Sequence, residues 1–456
     1  MKKNDKKKNK TLSTTIEFVN HASVIIKGNN ISILSDPWFQ GDAFHKGWNL
    51  LDETNDDNID KILDKITHVW ISHEHPDHFS VFFFKKFKKK LINKSIKILF
   101  QETTDKRVIN FLRNEKFDCQ ELTNNNETFL SKSFSVTCIK DGFYDSALLV
   151  KYNNEKILNL NDCEINNLSK IDKLKLITGD IDVLLTQFSF AAWKGGKNNK
   201  KWRDEAAAEK IKTMKLQIQH FKPKIVIPFA SFIYFSNIEN KYLNDAANKP
   251  KAIVKNLENT SSNIIFMKPN DILGGKDENI STTKAIDFWS KRFNEINKKK
   301  FHKYEKISID EINKNFQKYC LRIKKNNNFW LMKLTRILST YSFFKPVKIE
   351  IMDLNCILKF DYLTQKIIKT NEKSHLCMNS ESINFLFKNS FGFDTLTVNG
   401  CFEENENGFI TSTKTLAIEN LNNLGIFFTP RIFFNITVIK LFLERLFKVK
   451  KKLQSK

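Results

Sequence analysis

The chain lacks paired cysteine motifs and long apolar runs. Its seven cysteines stand singly, at positions 119, 138, 163, 320, 356, 377 and 401. An odd number without a CxxC pair indicates reduced thiols and argues against a disulfide framework. No run approaches the roughly 20 apolar residues of a membrane-spanning helix, and no apolar segment of signal-peptide length follows the basic N-terminus. We therefore expect a cytoplasmic protein that does not cross a membrane.

Acidic residues are in the minority. The 51 Asp and Glu residues are outnumbered by 75 Lys and Arg residues, which gives a formal net charge of +24. This imbalance favours anionic partners, although lysines spread over the whole chain are also typical of a solvated surface. No motif that reads nucleic acid accompanies the charge. We expect an anionic small-molecule substrate and no specific nucleic-acid partner.

The length predicts more than one domain, because 456 residues exceed what a single hydrophobic core usually organises. We assign 1–11 to a basic disordered tail and 12–275 to a first domain. A helical connector over 276–345 follows, and then a small α+β accessory domain over 346–430. Residues 431–456 predict a basic amphipathic helix, which either docks on its own domain or makes peripheral contact with the inner face of a membrane.

Strands and helices recur in two halves of the first domain. The pattern predicts one strand over 15–26, another over 31–34 after a turn at 27–30, and a strand over 66–72. Further strands are predicted over 95–100, 133–139, 146–151, 156–160, 182–188 and 224–229, with a helix over 204–221. This order predicts an α/β fold of the αββα sandwich type. The accessory domain is predicted to have strands over 347–360 and 366–370, a helix from Ser380, and a strand over 395–402.

A cluster of ligand-type side chains follows the strand over 66–72 and reads His73-Glu74-His75-Pro76-Asp77-His78. In an extended chain His73 and His75 leave the same side and can bind one cation, while Asp77 and His78 address a neighbouring position. The alternative is a polar turn that caps a helix, and four such side chains within six residues argue against it. Catalysis also needs an open coordination place where water binds and loses a proton. Asp77 is the candidate general base for that proton.

This cluster, together with Asn20-His21-Ala22-Ser23 and Asp36-Pro37, resembles the metallo-β-lactamase superfamily. The likeness lies in the branch of the ascorbate-phosphate lactonases and N-acyl-phosphatidylethanolamine phospholipase D, and it covers residues 12–275. The segments 43–48, 158–163 and 228–235 are similar to the corresponding domain of the CMP-N-acetylneuraminate hydroxylases. Those enzymes also carry a Rieske domain, whose paired cysteine and histidine motifs are missing here. An oxygenase role would therefore need a separate redox partner.

The resemblance implies metal ligands at His73, His75, Asp77 and His78, and a bridging ligand at Asp162, whose alternative role is a helix N-cap. Two departures from the family pattern stand out. Asp145 lies near the place of the expected third histidine and is a candidate substitute. Ala230-Ser231 stands where the last histidine is expected, so one metal position is short of ligands. The oxygen-rich set suits zinc, iron or manganese, as one or two ions.

Six further residues are predicted around the metal. His21 and Asp36 are assigned to hold ligands from behind, and a satisfied core histidine is the alternative for His21. His45, Trp48, Lys194 and Arg203 are candidate substrate contacts on the rim. Lys194 and Arg203 are able to clamp a phosphate, or are plain surface charges.

Three functions remain open at this point. The leading hypothesis is a metal-dependent hydrolase that acts on an ester, lactone or phosphodiester of an anionic substrate, such as a nucleotide sugar, a phospholipid or a surface-glycan precursor. The second is an iron-dependent oxygenase component. The third is a lipid- or glycolipid-binding protein with a degenerate metal site, because residues 347–429 resemble the sterol-carrier lipid-binding fold.

Overall fold

The computed structural model describes residues 12–339 and 341–434, without the side chains of 433 and 434. The predicted tail over 1–11 and nearly all of the predicted basic helix over 431–456 lie outside these residues. The chain divides into two compact units. The first holds the residues up to Lys194 and Asn198–His302, and the second holds Gly195–Lys197 and the residues from Lys303 onward. The interval predicted as a connector, 276–345, is thus shared between the two units.

The strands of the first unit form most of its interior. In chain order they are β1 Thr15–Asn20, β2 Ser23–Gly28, β3 Ile31–Ser35, β4 Trp48–Leu50, β5 His68–Ile71, β6 Lys97–Gln101, β7 Cys119–Leu122, β8 Glu127–Phe129, β9 Phe134–Asp141, β10 Asp145–Tyr152, β11 Glu155–Asn159, β12 Val183–Gln187, β13 Ile225–Phe229, β14 Ile233–Phe235, β15 Asn263–Ile264 and β16 Ile272–Leu273. Its α-helices are α1 Asp56–Lys65, α2 Val81–Lys86, α3 Lys88–Asn93, α4 Arg107–Asn114, α5 Leu168–Thr178, α6 Lys200–Phe221, α7 Pro250–Leu257 and α8 Thr282–Asn294.

Within the described residues these strands build two seven-stranded sheets and a two-stranded ribbon of β14 and β4. One sheet has the order β16-β1-β2-β3-β5-β6-β7, and the other has the order β15-β13-β12-β11-β10-β9-β8. In the first sheet β3, β5, β6 and β7 run parallel. In the second sheet β11, β12 and β13 run parallel. The carboxyl ends of these parallel strands therefore share an edge within each sheet.

The two sheets face each other across one core and carry helices on their outer faces. On β2, Val24 and Ile26 belong to the core that also contains Leu148 of β10. Ile25, between them, belongs to a second core with Leu63 of α1. Successive side chains on a strand point to opposite faces, so β2 is covered by the other sheet on one side and by helices on the other. The predicted αββα sandwich is confirmed.

The predicted single strand over 15–26 is wrong, because the chain bends at His21. The pairing of β1 with β2 shifts register between Phe18 and Asn20. His21 has a left-handed backbone with φ 34°, and its amide donates to the side-chain oxygen of Asn20 at 2.9 Å. The polar Asn20 thus supports a tight turn inside what reads as a continuous apolar strand. The turn leaves His21 at the end of β1.

The second unit is an α+β module. Its strands are β17 Val347–Ile351, β18 Cys356–Asp361, β19 Lys366–Thr370, β20 Leu376–Met378 and β21 Glu403–Glu404, in the order β19-β18-β17-β20-β21. Its α-helices are α9 Ile309–Asn326, α10 Phe329–Leu338, α11 Ser380–Lys388, α12 Gly392–Asn399, α13 Gly408–Leu416 and α14 Ile418–Asn423. Helix α9 packs on α11, where Asn315 donates to Asn384 at 2.8 Å.

Two predictions for this unit are wrong. The predicted strand over 395–402 is largely the helix α12, because Phe393 and Leu396 are three residues apart and both are buried. Gly400, with φ 67°, ends that helix in the left-handed conformation that glycine adopts readily. The predicted strand over 347–360 is two strands, since Asn355 turns the chain with φ 48°.

None of the helices within the described ranges is long and apolar enough to cross a bilayer. All seven cysteines lie in those ranges, and none of them forms a disulfide there.

Candidate metal centre

The ligand-type side chains gather where strands of both sheets end. His73 follows β5, Asp36 follows β3 and His21 follows β1. From the facing sheet, Asp162 follows β11, and Asp145 begins the antiparallel strand β10. Parallel strands deliver their carboxyl ends to one edge, which is where open α/β sheets bind ligands.

The first group surrounds His73. Its Nε2 lies 2.8 Å from His75 Nδ1 and 3.6 Å from Asp145 Oδ1. Ligand atoms of His73, His78 and Asp162 all lie within 4.8 Å of one another. The structure therefore brings Asp162 and Asp145 to the histidines that sequence reasoning paired them with. His73 is buried, whereas the side chains of Asp145 and Asp162 keep 26% and 22% of their exposure, so solvent reaches this group from the carboxylate side.

The second group joins His21 to the end of the motif. The Oδ2 atom of Asp77 lies 3.5 Å from His21 Nε2 and 3.2 Å from His78 Nε2. His78 Nε2 is also 3.4 Å from Asp162 Oδ1. The side chains of His21, Asp77 and His78 are buried. His78 and Asp162 thus connect the two groups.

Asp36 holds the site through a network of hydrogen bonds. Its carboxylate accepts hydrogen bonds from the amide and hydroxyl of Ser72, at 2.7 and 2.9 Å, and from the side-chain amide of Asn161. His78 Nδ1 lies 3.1 Å from Asp36 Oδ2. The Ser72 hydroxyl also lies 2.9 Å from His73 Nδ1. Because Nδ1 of both rings is engaged from behind, both Nε2 atoms face the cluster.

The buried charges shift one another's pKa values. Burial alone lowers the pKa of His78, but the carboxylates of Asp77, Asp162 and Asp36 outweigh it and raise that pKa well above its usual range. Burial, followed by repulsion from His78 and His75, lowers the pKa of His73 well below its usual range. Burial raises the pKa of Asp77, but His78 and His21 reverse the shift and lower it strongly. Burial and the charge of Asp162 raise the pKa of Asp145 to about 6.

Unpaired polar atoms show that this donor set fits a divalent cation. Both ring nitrogens of His21 and Oδ1 of Asp77 are buried without a hydrogen-bond partner among the described residues. Buried polar atoms in proteins are normally paired. Imidazole nitrogens and carboxylate oxygens are ligands for zinc, iron and manganese. The predicted ligands His73, His75, Asp77, His78, Asp145 and Asp162 are the residues that would hold such ions.

A cavity of about 390 Å³ adjoins Asp162, because its lining includes the chain neighbours Asn161 and Cys163. Gln187 and Lys210 line it, and neither was singled out from the sequence. Lys210 Nζ donates to Gln187 Oε1 at 2.7 Å, and Gln187 Nε2 donates to Asp162 Oδ1. Burial lowers the pKa of Lys210. The position of Gln187 at the carboxyl end of β12 is the only sequence signal that could have pointed to it, and nothing distinguishes Lys210 from the other lysines of α6.

The predicted rim residues fall in different places. Lys194 lines the cavity. Trp48 is buried in β4, with its ring 4.5 Å from that of Phe44, so its predicted position on the rim is wrong. His45 lies in a turn with φ 54°, next to Phe44, whose ring is 5.7 Å from that of His75.

Arg203 is also misplaced by the sequence prediction. Its side chain is 1% exposed, and Asp245 accepts hydrogen bonds from Nε and Nη2, both at 2.8 Å. Its guanidinium also lies 5.1 Å from the ring centroid of Tyr242. A rim charge that clamps a phosphate has to face solvent, whereas this one projects from α6 and is packed against Tyr242 and Asp245. Arg203 is therefore a structural cation.

The beta-lactamase superfamily domain matches residues 15–230 of this chain. Residues 15–230 are a metallo-β-lactamase superfamily domain. The match contains His21, Asp36, the motif from His73 to His78, Asp145 and Asp162. The metallo-β-lactamase domain therefore supplies every candidate ligand.

Three relatives are similar in sequence to this chain over part of their length. The cytidine monophosphate-N-acetylneuraminic acid hydroxylase of Mus musculus is 27% identical over 270 residues, which are 56% of this chain and 45% of the mouse protein. That of Danio rerio is 26% identical over 254 residues, 52% of this chain and 41% of the fish protein. The inactive hydroxylase of Homo sapiens is 27% identical over 274 residues, 56% of this chain and 52% of the human protein. The chain spans about half the length of these relatives.

Two solved structures are also similar. CmlA, a diiron beta-hydroxylase from Streptomyces venezuelae, is 13% identical to this chain with a TM-score of 0.42. The match covers 59% of this chain and 55% of the CmlA chain. A possible metal-dependent hydrolase from Veillonella parvula is 14% identical with a TM-score of 0.44. That match covers 58% of this chain and 100% of the hydrolase chain.

Proposed function

We propose that the chain is a metal-dependent hydrolase that acts on an ester, lactone or phosphodiester of an anionic substrate. The observation that carries this proposal is the convergence of His73, His75, Asp145 and Asp162. A cavity lined by two lysines adjoins Asp162 through Gln187. A divalent ion bound here would polarise the bond to be cleaved and lower the pKa of a water molecule. The partial exposure of Asp145 and Asp162 leaves a side through which a substrate reaches the cluster.

The chain's own residues orient the ligands. The Ser72 hydroxyl engages His73 Nδ1, and Asp36 engages His78 Nδ1. Such partners fix ring orientation and tautomer, and their loss typically lowers metal affinity. Gln187 holds Asp162 by donating to its Oδ1 atom.

Asp77 suits a ligand better than the general base that the sequence suggested. It is buried, and His78 and His21 hold its pKa well below the usual range. A carboxylate with a lowered pKa accepts a proton poorly. The same charge favours a bound cation, so we assign Asp77 to metal binding.

Lys194 and Lys210 favour a negatively charged substrate. Both line the cavity beside Asp162. Burial already disfavours the charge on Lys210, and an anionic group of the substrate would stabilise it. The name shared by the relatives points to a nucleotide sugar among the possible anions, while phospholipids and glycan precursors carry the same chemistry.

A second candidate is an iron-dependent hydroxylase component. The relatives named as hydroxylases favour it, and so does a ligand set in which carboxylates accompany two histidines. This function needs dioxygen and a separate electron donor.

The two candidates are separated by parallel assays on the full chain loaded with Zn²⁺, Mn²⁺ or, under anaerobic conditions, Fe²⁺. Hydrolysis of bis(p-nitrophenyl) phosphate, p-nitrophenyl acetate and CMP-N-acetylneuraminate is measured, as is dioxygen uptake with CMP-N-acetylneuraminate and a chemical reductant. Metal-dependent hydrolysis that disappears in His73→Ala but persists in the control His68→Gln supports the hydrolase. Iron-dependent dioxygen uptake without hydrolysis supports the second candidate. Metal binding with neither activity overturns both and favours the binding protein.

A further inference from the structure

The backbone of His21 is hydrogen-bonded through both its amide and its carbonyl, but its side chain has no hydrogen-bond partner among the described residues. Its amide donates to Asn20 Oδ1 at 2.9 Å, and its carbonyl accepts from the amide of Ala230 at 2.8 Å. The side chain is 2% exposed and packs edge-on against Trp38, with 5.6 Å between ring centroids. Neither ring nitrogen has a hydrogen-bond partner within the described part of the chain. An imidazole that serves only to fill a core normally has at least one such partner.

The unpaired ring faces two other ligand-type atoms. His21 Nε2 is 3.5 Å from Asp77 Oδ2, which is 3.2 Å from His78 Nε2, and the three ligand atoms all lie within 4.8 Å of one another. Two atoms that each lie about 2.1 Å from one ion are about 3.0–3.4 Å apart in octahedral or tetrahedral geometry. The separation of 3.2 Å between Asp77 and His78 falls in this range, and that of 3.5 Å between His21 and Asp77 lies just above it.

The environment of the group also favours a cation. Asp77 Oδ1 is buried without a hydrogen-bond partner among the described residues. His78 Nδ1 is engaged by Asp36, which leaves Nε2 available to a ligand position. Asp162 Oδ1 lies 3.4 Å from His78 Nε2 and so borders both groups.

We propose that His21 is a metal ligand that completes a second metal position with Asp77 and His78, next to the first position at His73, His75 and Asp145. Asp162 lies between the two positions. The inference rests on the proposed function, because it assumes that the first position binds metal. The inference also explains why Ala230 stands where the family pattern has a last histidine. The amide of Ala230 donates a hydrogen bond to the carbonyl of His21. His21 therefore lies next to that place and supplies an imidazole there.

The test counts ions on the full chain after dialysis against a chelator, by calorimetric titration with Zn²⁺ and, separately, with Mn²⁺. His21→Asn is the informative variant, because asparagine tolerates the left-handed backbone at this position. His68→Gln is the matched control, since His68 lies on β5 outside both groups. Thermal unfolding of each metal-free variant verifies that it folds. If His21→Asn does not fold, Asp77→Asn takes its place.

We expect two ions per chain for the wild type and His68→Gln, and one for His21→Asn. Loss of a residue that only orients a ligand typically weakens binding by roughly 10–100-fold, so a ligand role predicts a larger loss for the second ion. The Co²⁺ absorption spectrum of the second ion should also disappear in His21→Asn.

Three results would overturn the inference or the proposed function on which it rests. Two ions in His21→Asn with a loss within that range would reduce His21 to a positioning residue. One ion in the wild type, with metal-dependent hydrolysis retained, would remove the second position and leave the proposed function standing. No bound ion in the wild type would remove both.

Discussion

His78 Nδ1 lies 3.1 Å from Asp36 Oδ2, and neither side chain is exposed. Asp36 belongs to the turn after β3, whereas His78 ends the motif after β5, and these two strands run parallel as neighbours. The pair therefore joins the last histidine of the motif to the adjacent strand. Its geometry turns His78 Nε2 towards Asp77 and Asp162.

Replacing Asp36 by asparagine should weaken metal binding. The substitution keeps the size of the side chain but puts an amide donor where Ser72, Asn161 and His78 direct their own donors. We expect the affinity for Zn²⁺ to fall by roughly 10–100-fold, measured by calorimetry. The control is Asp42→Asn, because Asp42 is exposed and its carboxylate accepts from the backbone amide of Lys46. Equal affinities in the two variants would contradict the anchoring role of Asp36.

The stability of the metal-free protein should depend on pH through Asp145. Its pKa is raised to about 6 in the fold, against about 3.9 in an unfolded chain. Between these values the folded state keeps a proton that the unfolded state has lost. The protonated carboxyl of Asp145 therefore contributes fully to the free energy of unfolding below about pH 4, and this contribution is lost as the pH rises through about 6.

Urea unfolding of the metal-free wild type and Asp145→Asn at a series of pH values measures this effect. The stability of the variant relative to the wild type should increase by up to about 3 kcal/mol between pH 4 and pH 7. The neutral amide removes the titration while keeping the shape. Parallel stability curves for the two proteins would show that Asp145 is not perturbed in this way.

Substitution of Lys210 should affect substrate binding more than the chemical step. Lys210→Met removes a cation from the cavity beside Asp162, so we expect KM for an anionic substrate to rise by about 10-fold with a smaller change in kcat. Lys212→Met is the control, because Lys212 is on the same helix with 78% of its side chain exposed. Metal content serves as a check that the site is intact. The same KM in Lys210→Met and Lys212→Met would exclude a substrate contact at Lys210.

Removal of Asp245 should destabilise the protein without changing its metal content. Arg203 is 1% exposed and its guanidinium is bound by the Asp245 carboxylate. Asp245→Ala should lower the free energy of unfolding by about 2 kcal/mol, less than the roughly 3–5 kcal/mol of a fully buried pair, because Asp245 retains 34% exposure. Urea unfolding and elemental analysis test the two halves of this prediction. A normal stability with reduced metal content would place Arg203 in the site instead.

The sequence predicts those features of the site that depend on residues close together in the chain. The motif from His73 to His78 is readable from spacing alone, and the αββα order follows from the sequence of strands and helices. The misplaced residues depend on packing between distant segments. Trp48 and Arg203 carry side chains typical of a rim, yet the fold buries both.

Other features are invisible in the sequence for the same reason. Lys210 is one lysine among many until α6 brings it to Gln187. His21 was recognised as part of the site, but its unpaired ring nitrogens appear only when β1 ends beside Asp77. The helix α12 was missed because its short apolar run also fits a strand.

The central claim is that these histidines and carboxylates bind a divalent metal ion. Elemental analysis of the full chain purified without added metal, beside His75→Ala prepared in the same way, tests it most directly. We predict at least one zinc, iron or manganese ion per wild-type chain and a clear loss in the variant. Wild-type protein that holds no more metal than His75→Ala would contradict the account.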